Sequence, residues 1–180
     1  ELLALPVISG KKSEAEKFPG ADYTTTIEVL MPDGKALQAG TSHQLGQNFA
    51  KMFNVKYKTT SGGSEYCWQT SWGSSTRLLG ALAGVHGDDK GLVLPPRVAF
   101  LQVVLVPIAY SPEDKKMALT RLEKLAGELK AKNLRVRIDD REDKTPGFKY
   151  TEWESKGVPL RMEVGLKDLA NQGVTVARRD

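Results

Sequence analysis

Cysteine is almost absent from this chain, with Cys67 the only one in 180 residues. A single thiol closes no internal disulfide and builds no cysteine-rich zinc site, and a reducing, cytoplasmic setting is the default expectation. Histidine is scarce as well, with only His43 and His86. A three-histidine metal centre and a Cys/His nucleophile pair therefore have little support. No apolar run approaches the roughly 18 residues of a bilayer-crossing helix, so no membrane association is expected. The N-terminus also lacks the charged, apolar and small-residue succession of a secretion signal. Neither a Walker-type P-loop nor a G-x-G-x-x-G fingerprint occurs. What is present is an ordinary globular balance, 40% apolar and 27% charged. Lys and Arg number 26 against 22 Asp and Glu, and the excess lies mostly after residue 100, where 16 basic residues face 13 acidic ones. A surplus of this size suits a solvated surface and weakly favours a polyanion partner for the second part.

The length suits one large domain or two small ones. Glu1-Leu2-Leu3-Ala4-Leu5-Pro6 has no N-cap and reads as a helix met partway along. Ala177-Arg178-Arg179-Asp180 closes a strand pattern, and the chain is expected to be a fragment of something longer at both ends. Tyr23 to Leu30 is β-branched and aromatic and predicts a strand. Met31-Pro32-Asp33-Gly34 supplies a turn, and Lys35 to Thr41 returns antiparallel. Leu45, Phe49 and Met52-Phe53 recur at helical spacing, and Glu65 to Trp72 predicts a third strand. Arg77 opens a helix whose Gly80, Ala81, Ala83 and Gly84 would let it lie close against a sheet. The first part is thus α+β, antiparallel strands with packed helices.

Leu94-Pro95-Pro96-Arg97 breaks both ladder and helix, and divides an expected domain at 1–98 from another at 99–180. Leu101 to Ile108 is nearly all apolar, as a strand covered on both faces should be. Ser111-Pro112-Glu113-Asp114 is a helix start, and Ala118, Leu122, Leu125 and Leu129 hold one face for three turns. Leu134/Val136/Ile138, Val158/Leu160/Met162/Val164 and Val174/Val176 alternate as strands. The second domain reads as a β-α-β unit followed by further α and β.

Three segments could carry chemistry. In Ser71-Trp72-Gly73-Ser74-Ser75-Thr76-Arg77 a strand runs into a helix through glycine and hydroxyls to a guanidinium. Helix N-terminal amides, hydroxyls and arginine suit phosphate oxygens, although a plain capped helix with an exposed arginine has the same pattern. Gln38-Ala39-Gly40-Thr41-Ser42-His43 gathers an amide, two hydroxyls and an imidazole where a strand is expected to end. If that strand is regular, residues two apart from Gln38 share its face, and a lone histidine there also reads as a structural hydrogen-bonding residue. Asp88-Asp89 offers carboxylates for Mg²⁺, or only a turn.

The runs Lys12 to Phe18, Tyr23 to Glu28, Gln38 to His43 and His86 to Arg97 resemble archaeal- and eukaryote-type prolyl-tRNA synthetases. So do Thr145-Pro146-Gly147-Phe148-Lys149 and Trp153 to Arg161 in the second domain. The resemblance covers essentially the whole chain, and its departures are Phe100 and Leu166, where the family usually has proline. It implies the later part of a class II catalytic domain followed by an α/β anticodon-binding domain with a mixed sheet. It also implies a ligase that joins ATP and L-proline into prolyl-adenylate and passes the prolyl group to tRNA(Pro). By motif, Arg77 is implied as the catalytic, phosphate-binding arginine, with Gln38, Thr41, Ser75 and Thr76 also at ATP. Gln38 is placed near Mg²⁺, His43 lines the proline pocket, and Trp72 and Gly73 form nearby wall. Arg141, Lys149, Trp153, Glu154, Arg161 and Lys167 are the candidates for the anticodon. No residue set in this segment suits the zinc of some relatives.

The family's motifs 1 and 2 are not found in these 180 residues, and homodimerisation is expected of the parent protein only. The competing reading is a non-catalytic, synthetase-like protein that binds tRNA or another partner through its second domain; a third is a basic two-domain protein with no response to ATP. Residues 1–180 alone are expected to give no proline-dependent ATP–pyrophosphate exchange, and clear exchange by the purified chain would refute that expectation.

Overall fold

The computed structural model describes residues 2–180. Its contacts divide into two units, Leu5–Val85 and, together with residues 2–4, His86–Asp180. In the first unit the chain forms β1 (Val7–Lys11), β2 (Tyr23–Leu30), β3 (Ala36–Gly46), α1 (Asn48–Met52), β4 (Lys56–Lys58), β5 (Ser64–Tyr66) and β6 (Gln69–Ser74), and then α2 (Arg77–His86). A four-stranded sheet runs in the order β1-β2-β3-β6 with every neighbour antiparallel. The β2–β3 turn closes as expected, with Gly34 at φ 81 and its N–H on the Met31 carbonyl at 3.0 Å. Helix α2 covers one sheet face through Ala81, which packs with Val29 and Ala39. Gly84 lets it approach, since a Cβ there would lie 2.7 Å from the Met31 Cε. The small-residue face is therefore Ala81 and Gly84, while Gly80 meets open space.

Three expectations are corrected here. Residues 2–6 form no helix: a turn precedes Ala4 at φ 51, and the Pro6 carbonyl accepts the Leu30 N–H at 3.0 Å. Glu1 lies outside the described residues. Leu5, released from a helix, packs beside Val29 and Ala39 instead. Strand β3 runs on to Gly46 rather than stopping at Thr41, so Leu45 belongs to a strand and α1 shrinks to Asn48–Met52. The third strand is two pieces: β5 pairs with β4 as a separate ribbon, and β6 joins β3. Between them the Cys67 N–H bonds the Val55 carbonyl at 3.2 Å and ends the ribbon.

The second unit holds β7 (Val103–Pro107), α3 (Pro112–Ala131), β8 (Val136–Ile138), α4 (Pro146–Ser155), β9 (Leu160–Val164), α5 (Leu166–Ala170) and β10 (Thr175–Arg178). The sheet order is β10-β9-β7-β8, with β7 parallel to both neighbours and β10 antiparallel, a mixed sheet. Strand β7 is buried along its whole length because helices cover both faces. Val103 and Leu105 meet Ala118 and Leu122 of α3, while Val104 and Val106 meet Trp153 of α4. Each side chain of this size contributes about 1.5–3 kcal/mol on full burial, which makes β7 the centre of the unit. Ser111 caps α3, accepting from the Asp114 N–H at 3.1 Å. Leu166 is the first residue of α5, a position that tolerates the family's proline. Among the described residues, no helix is long and apolar enough to cross a membrane.

The contact boundary falls before His86 rather than at the two prolines. Residues 88–91 form a tight turn, with N–H···O bonds of 3.0 Å in both directions between Asp88 and Gly91. Arg179, only 7% exposed, grips the Asp88 carboxylate at 2.6 and 2.8 Å, and the Leu92 N–H bonds the Ser155 carbonyl. The guanidinium holds the Asp88 carboxyl well below the usual carboxylate range. Gly91, at φ 126, admits no side chain: a Cβ would lie 2.5 Å from the Ser155 carbonyl oxygen. Asp88-Asp89 is thus the turn of the two readings.

Behind α4 lies a buried polar cluster. The Asp139 carboxylate, 2% exposed, accepts from Arg141 at 2.7 and 2.8 Å and from the Trp153 indole at 2.7 Å. The buried Lys149 donates to the Asp139 carbonyl at 3.0 Å. Burial alone would raise the Asp139 pKa, but the hydrogen bonds from Arg141 and Trp153 outweigh it and hold it at about 2. Burial pushes the Lys149 ammonium down. Because the folded pKa of Asp139 lies below its ordinary 3.8, its contribution is complete above that value and is lost as pH falls toward 2. Asp139→Asn is expected to cost about 3 kcal/mol at pH 7 and to flatten the fall in melting midpoint between pH 5 and pH 2. Equal acid slopes for wild type and variant would contradict this account.

Candidate nucleotide cleft

The cleft depends on an irregularity in β3. Ile27 pairs with Gly40 and Glu28 with Gln38, so Ala39 has no partner and the strand is bulged there. Thr41 and His43 share one face by alternation. The extra residue shifts the strand's phase, so Gln38, three positions before Thr41, joins that same face. Ala39 turns the other way, into the core under α2. Across the sheet, Gly73 pairs with Thr41 and Ser71 with His43. The chain then leaves β6 through Ser75, whose hydroxyl accepts the Arg77 N–H at 3.3 Å, and the Arg77 guanidinium lies 3.5 Å from the Gln38 carbonyl.

The result is a hollow of about 410 Å³ that brings Gln38, Thr41, His43, Gly73, Ser75 and Arg77 together. No Asp or Glu lines it, and among the described residues no carboxylate pairs with Arg77. A second hollow of about 310 Å³ shares Gln38, Thr41 and His43 and adds Lys12, Phe18 and Thr24. Hydroxyls, amide donors and an unneutralised guanidinium make an anion site.

His43 is locked in place. Its Nδ1 lies 2.9 Å from the Thr24 hydroxyl, its Nε2 lies 3.1 Å from the Thr41 hydroxyl, and the Phe18 ring packs against it at 4.9 Å. The fully buried Thr24 already accepts from the Phe18 N–H at 3.2 Å, so its own proton must go to an acceptor, and Nδ1 is the one in reach. The imidazole is then the neutral Nε2–H tautomer donating to Thr41. That leaves the Thr41 O–H free to donate into the cleft. His43 is a fixed wall, and neither ring nitrogen is available as a base.

Trp72 lines this hollow too, although it reaches both faces of the sheet edge. Trp72 pairs with Ser42, which puts its side chain on the opposite face, 78% exposed beside Thr25 and Ile27. Thr76 does not line the hollow. The expectation of Mg²⁺ near Gln38 concerns an ion that bridges phosphates, not one held by the protein alone. The Gln38 Oε1 accepts from the Lys12 ammonium at 2.8 Å, no carboxylate lines the hollow, and the described residues contain no cluster of three His, Cys, Asp or Glu side chains. Mg²⁺ favours carboxylate and phosphate oxygens, so these residues do not suit a protein-held ion. Sequence reasoning missed Lys12, Phe18 and Thr24, which lie outside any periodic pattern pointing to β3.

In the second unit, burial and pairing remove most of the anticodon candidates. Lys149 and Trp153 are buried and spend their polar atoms on Asp139. Arg141 joins Asp139 to Glu152 at 2.6 Å. Arg161 bonds Glu163 and lies 4.0 Å over the Tyr150 ring, whose hydroxyl burial pushes above its usual range. Glu154 is half-buried near Lys90, and Lys167 is exposed on α5. The wider groove, about 760 Å³, lies beyond the C-terminal ends of the parallel β7 and β8, where open α/β sheets take ligands. Its rim carries Tyr110, which is 90% exposed, with Lys116 and Lys144.

Comparison with known proteins fits these two architectures. Residues 102–180 match the family described as "Anticodon binding domain". That match takes in the mixed sheet of the second unit. The whole chain is homologous to proline–tRNA ligases. It is 55% identical over 177 residues to that of Cenarchaeum symbiosum, covering 98% of this chain and 37% of the relative. Against that of Roseiflexus sp. it is 53% identical over 178 residues, 99% of this chain and 37% of the relative. A solved structure of prolyl-tRNA synthetase from Cryptosporidium parvum, complexed with L-proline and AMP, superposes with a TM-score of 0.87 at 51% identity, covering 99% of this chain and 38% of that one. The chain thus spans a little over a third of the curated relatives it matches, 37% of each of these two.

Proposed function

We propose that this chain is part of a proline–tRNA ligase, contributing the later part of a class II catalytic domain and an anticodon-binding domain. The observation that carries the proposal is the acid-free hollow in which Gln38, Thr41, His43, Ser75 and Arg77 converge. In the reaction, a proline carboxylate oxygen attacks the α-phosphorus of ATP, pyrophosphate leaves, and prolyl-adenylate forms. A tRNA ribose hydroxyl then attacks the prolyl carbonyl and AMP leaves.

Neither step asks this cleft for a general base, because the carboxylate is already ionised at neutral pH. The need is to hold polyanions and to offset charge shifting onto the leaving pyrophosphate. Arg77 supplies the charge. Thr41, its hydroxyl freed by the His43 tautomer, and Ser75 supply donors. His43 and Phe18 offer a rigid, partly apolar wall of the kind a pyrrolidine ring can pack against. Magnesium, where required, arrives on the triphosphate. For tRNA, the groove with Tyr110 offers an aromatic face for an unstacked base, and Lys116 and Lys144 suit phosphates; Lys167 is the expected contact that is exposed. The parent protein is proposed to be a homodimer.

In the full-length protein, Arg77→Ala should cut proline-dependent ATP–pyrophosphate exchange by about 10²–10³-fold without lowering the melting midpoint, because Arg77 is exposed. Exchange within a few-fold of wild type would remove the cleft from the reaction.

A further inference from the structure

Lys12 enters the cleft from the far edge of the sheet. Its backbone N–H bonds the Thr24 carbonyl at 2.8 Å, extending the β1–β2 ladder one residue beyond Lys11. From that anchor the half-buried side chain places its ammonium 2.8 Å from the Gln38 Oε1. An ammonium has donors and no acceptor, so the carboxamide atom it meets must be the oxygen, which settles the orientation of the amide. The Gln38 NH₂ group is consequently turned away from Lys12 and has no protein partner among the described residues. Lys12 also lacks a carboxylate partner there: Glu14 pairs with Lys17, and Glu16, which lines the same hollow, bonds Ser13.

We propose that Lys12 is a positioning residue for the nucleotide's phosphates, fixing the Gln38 carboxamide so that its N–H groups face them. Its ammonium also adds a second unneutralised positive charge on the opposite side of Gln38 from Arg77. The inference rests on the ligase reading for the identity of the nucleotide and on the Lys12–Gln38 contact for the role.

The experiment uses the full-length protein with Lys12→Met and Lys12→Arg. For Lys12→Met the KM for ATP should rise about tenfold, with the KM for proline within about twofold of wild type, and Lys12→Arg should recover most of the loss. An unchanged KM for ATP would overturn the role. So would a loss shared by both substrates with a lowered melting midpoint that arginine does not restore. If wild type shows no exchange at all, the ligase reading fails separately. The rise in melting midpoint with ATP then scores Lys12: a rise lost in Lys12→Met and kept in Lys12→Arg supports the role, and an unchanged rise in both variants refutes it.

Discussion

The cleft exists because β3 is not regular. A strand with unbroken alternation would put Gln38 on the face of Gly40 and Ser42, with Thr41 and His43 opposite. The unpaired Ala39 changes the phase. One small residue goes into the core under α2, and the amide before it joins the hydroxyl and imidazole beyond it. Ala39 is itself suited to this: it is 5% exposed beside Ala81, where a larger side chain would press the helix off the sheet. Local backbone irregularity and core packing are therefore one constraint, and the polar convergence follows from it.

The two units use basic residues in opposite ways. In the second, Arg141, Lys149 and Arg179 are committed to Asp139, Glu152 and Asp88, and the carboxylates beside them are held below their ordinary range. Those charges organise loops and helix ends. In the first, Arg77 and Lys12 meet a backbone carbonyl and the Gln38 amide oxygen, no acid lines the hollow of Arg77, and Glu16 in the hollow of Lys12 is hydrogen-bonded to Ser13. Neutral partners orient a cation without cancelling it, so the field stays available to an incoming anion. A charge count over the sequence does not separate these cases; partners do.

This difference explains what was legible beforehand. Periodicity found β2, β7, α3 and the start of α2, because burial on a face imposes a repeat of two or near 3.6 on the residues. It missed the continuation of β3 through Leu45, since an apolar residue at a strand's end also fits a helical register. It also passed over the break at Cys67, which a single backbone hydrogen bond decides. The resemblance named Gln38, Thr41, His43, Trp72, Ser75 and Arg77, all of which line one hollow in the fold, with the Trp72 side chain turned by strand alternation to the face opposite Thr41. Burial withdraws Lys149 and Trp153 from the anticodon candidates. No local pattern marks a lysine as buried when its partner is a backbone carbonyl ten residues away.

The locked histidine bears on the proposed chemistry. A residue placed for proton transfer needs one ring nitrogen open to the substrate. In His43 both are taken, one by a hydroxyl that burial forces to donate and the other by Thr41. The lock passes a donor outward, because Thr41 accepts from the ring and keeps its own proton for a ligand. A chain of ordinary hydrogen bonds, from the Phe18 amide through Thr24 and His43 to Thr41, thus ends on a hydroxyl whose own proton is uncommitted. Phosphoryl chemistry on an already ionised carboxylate requires such donors and fixed charge, and it leaves a general base with nothing to do.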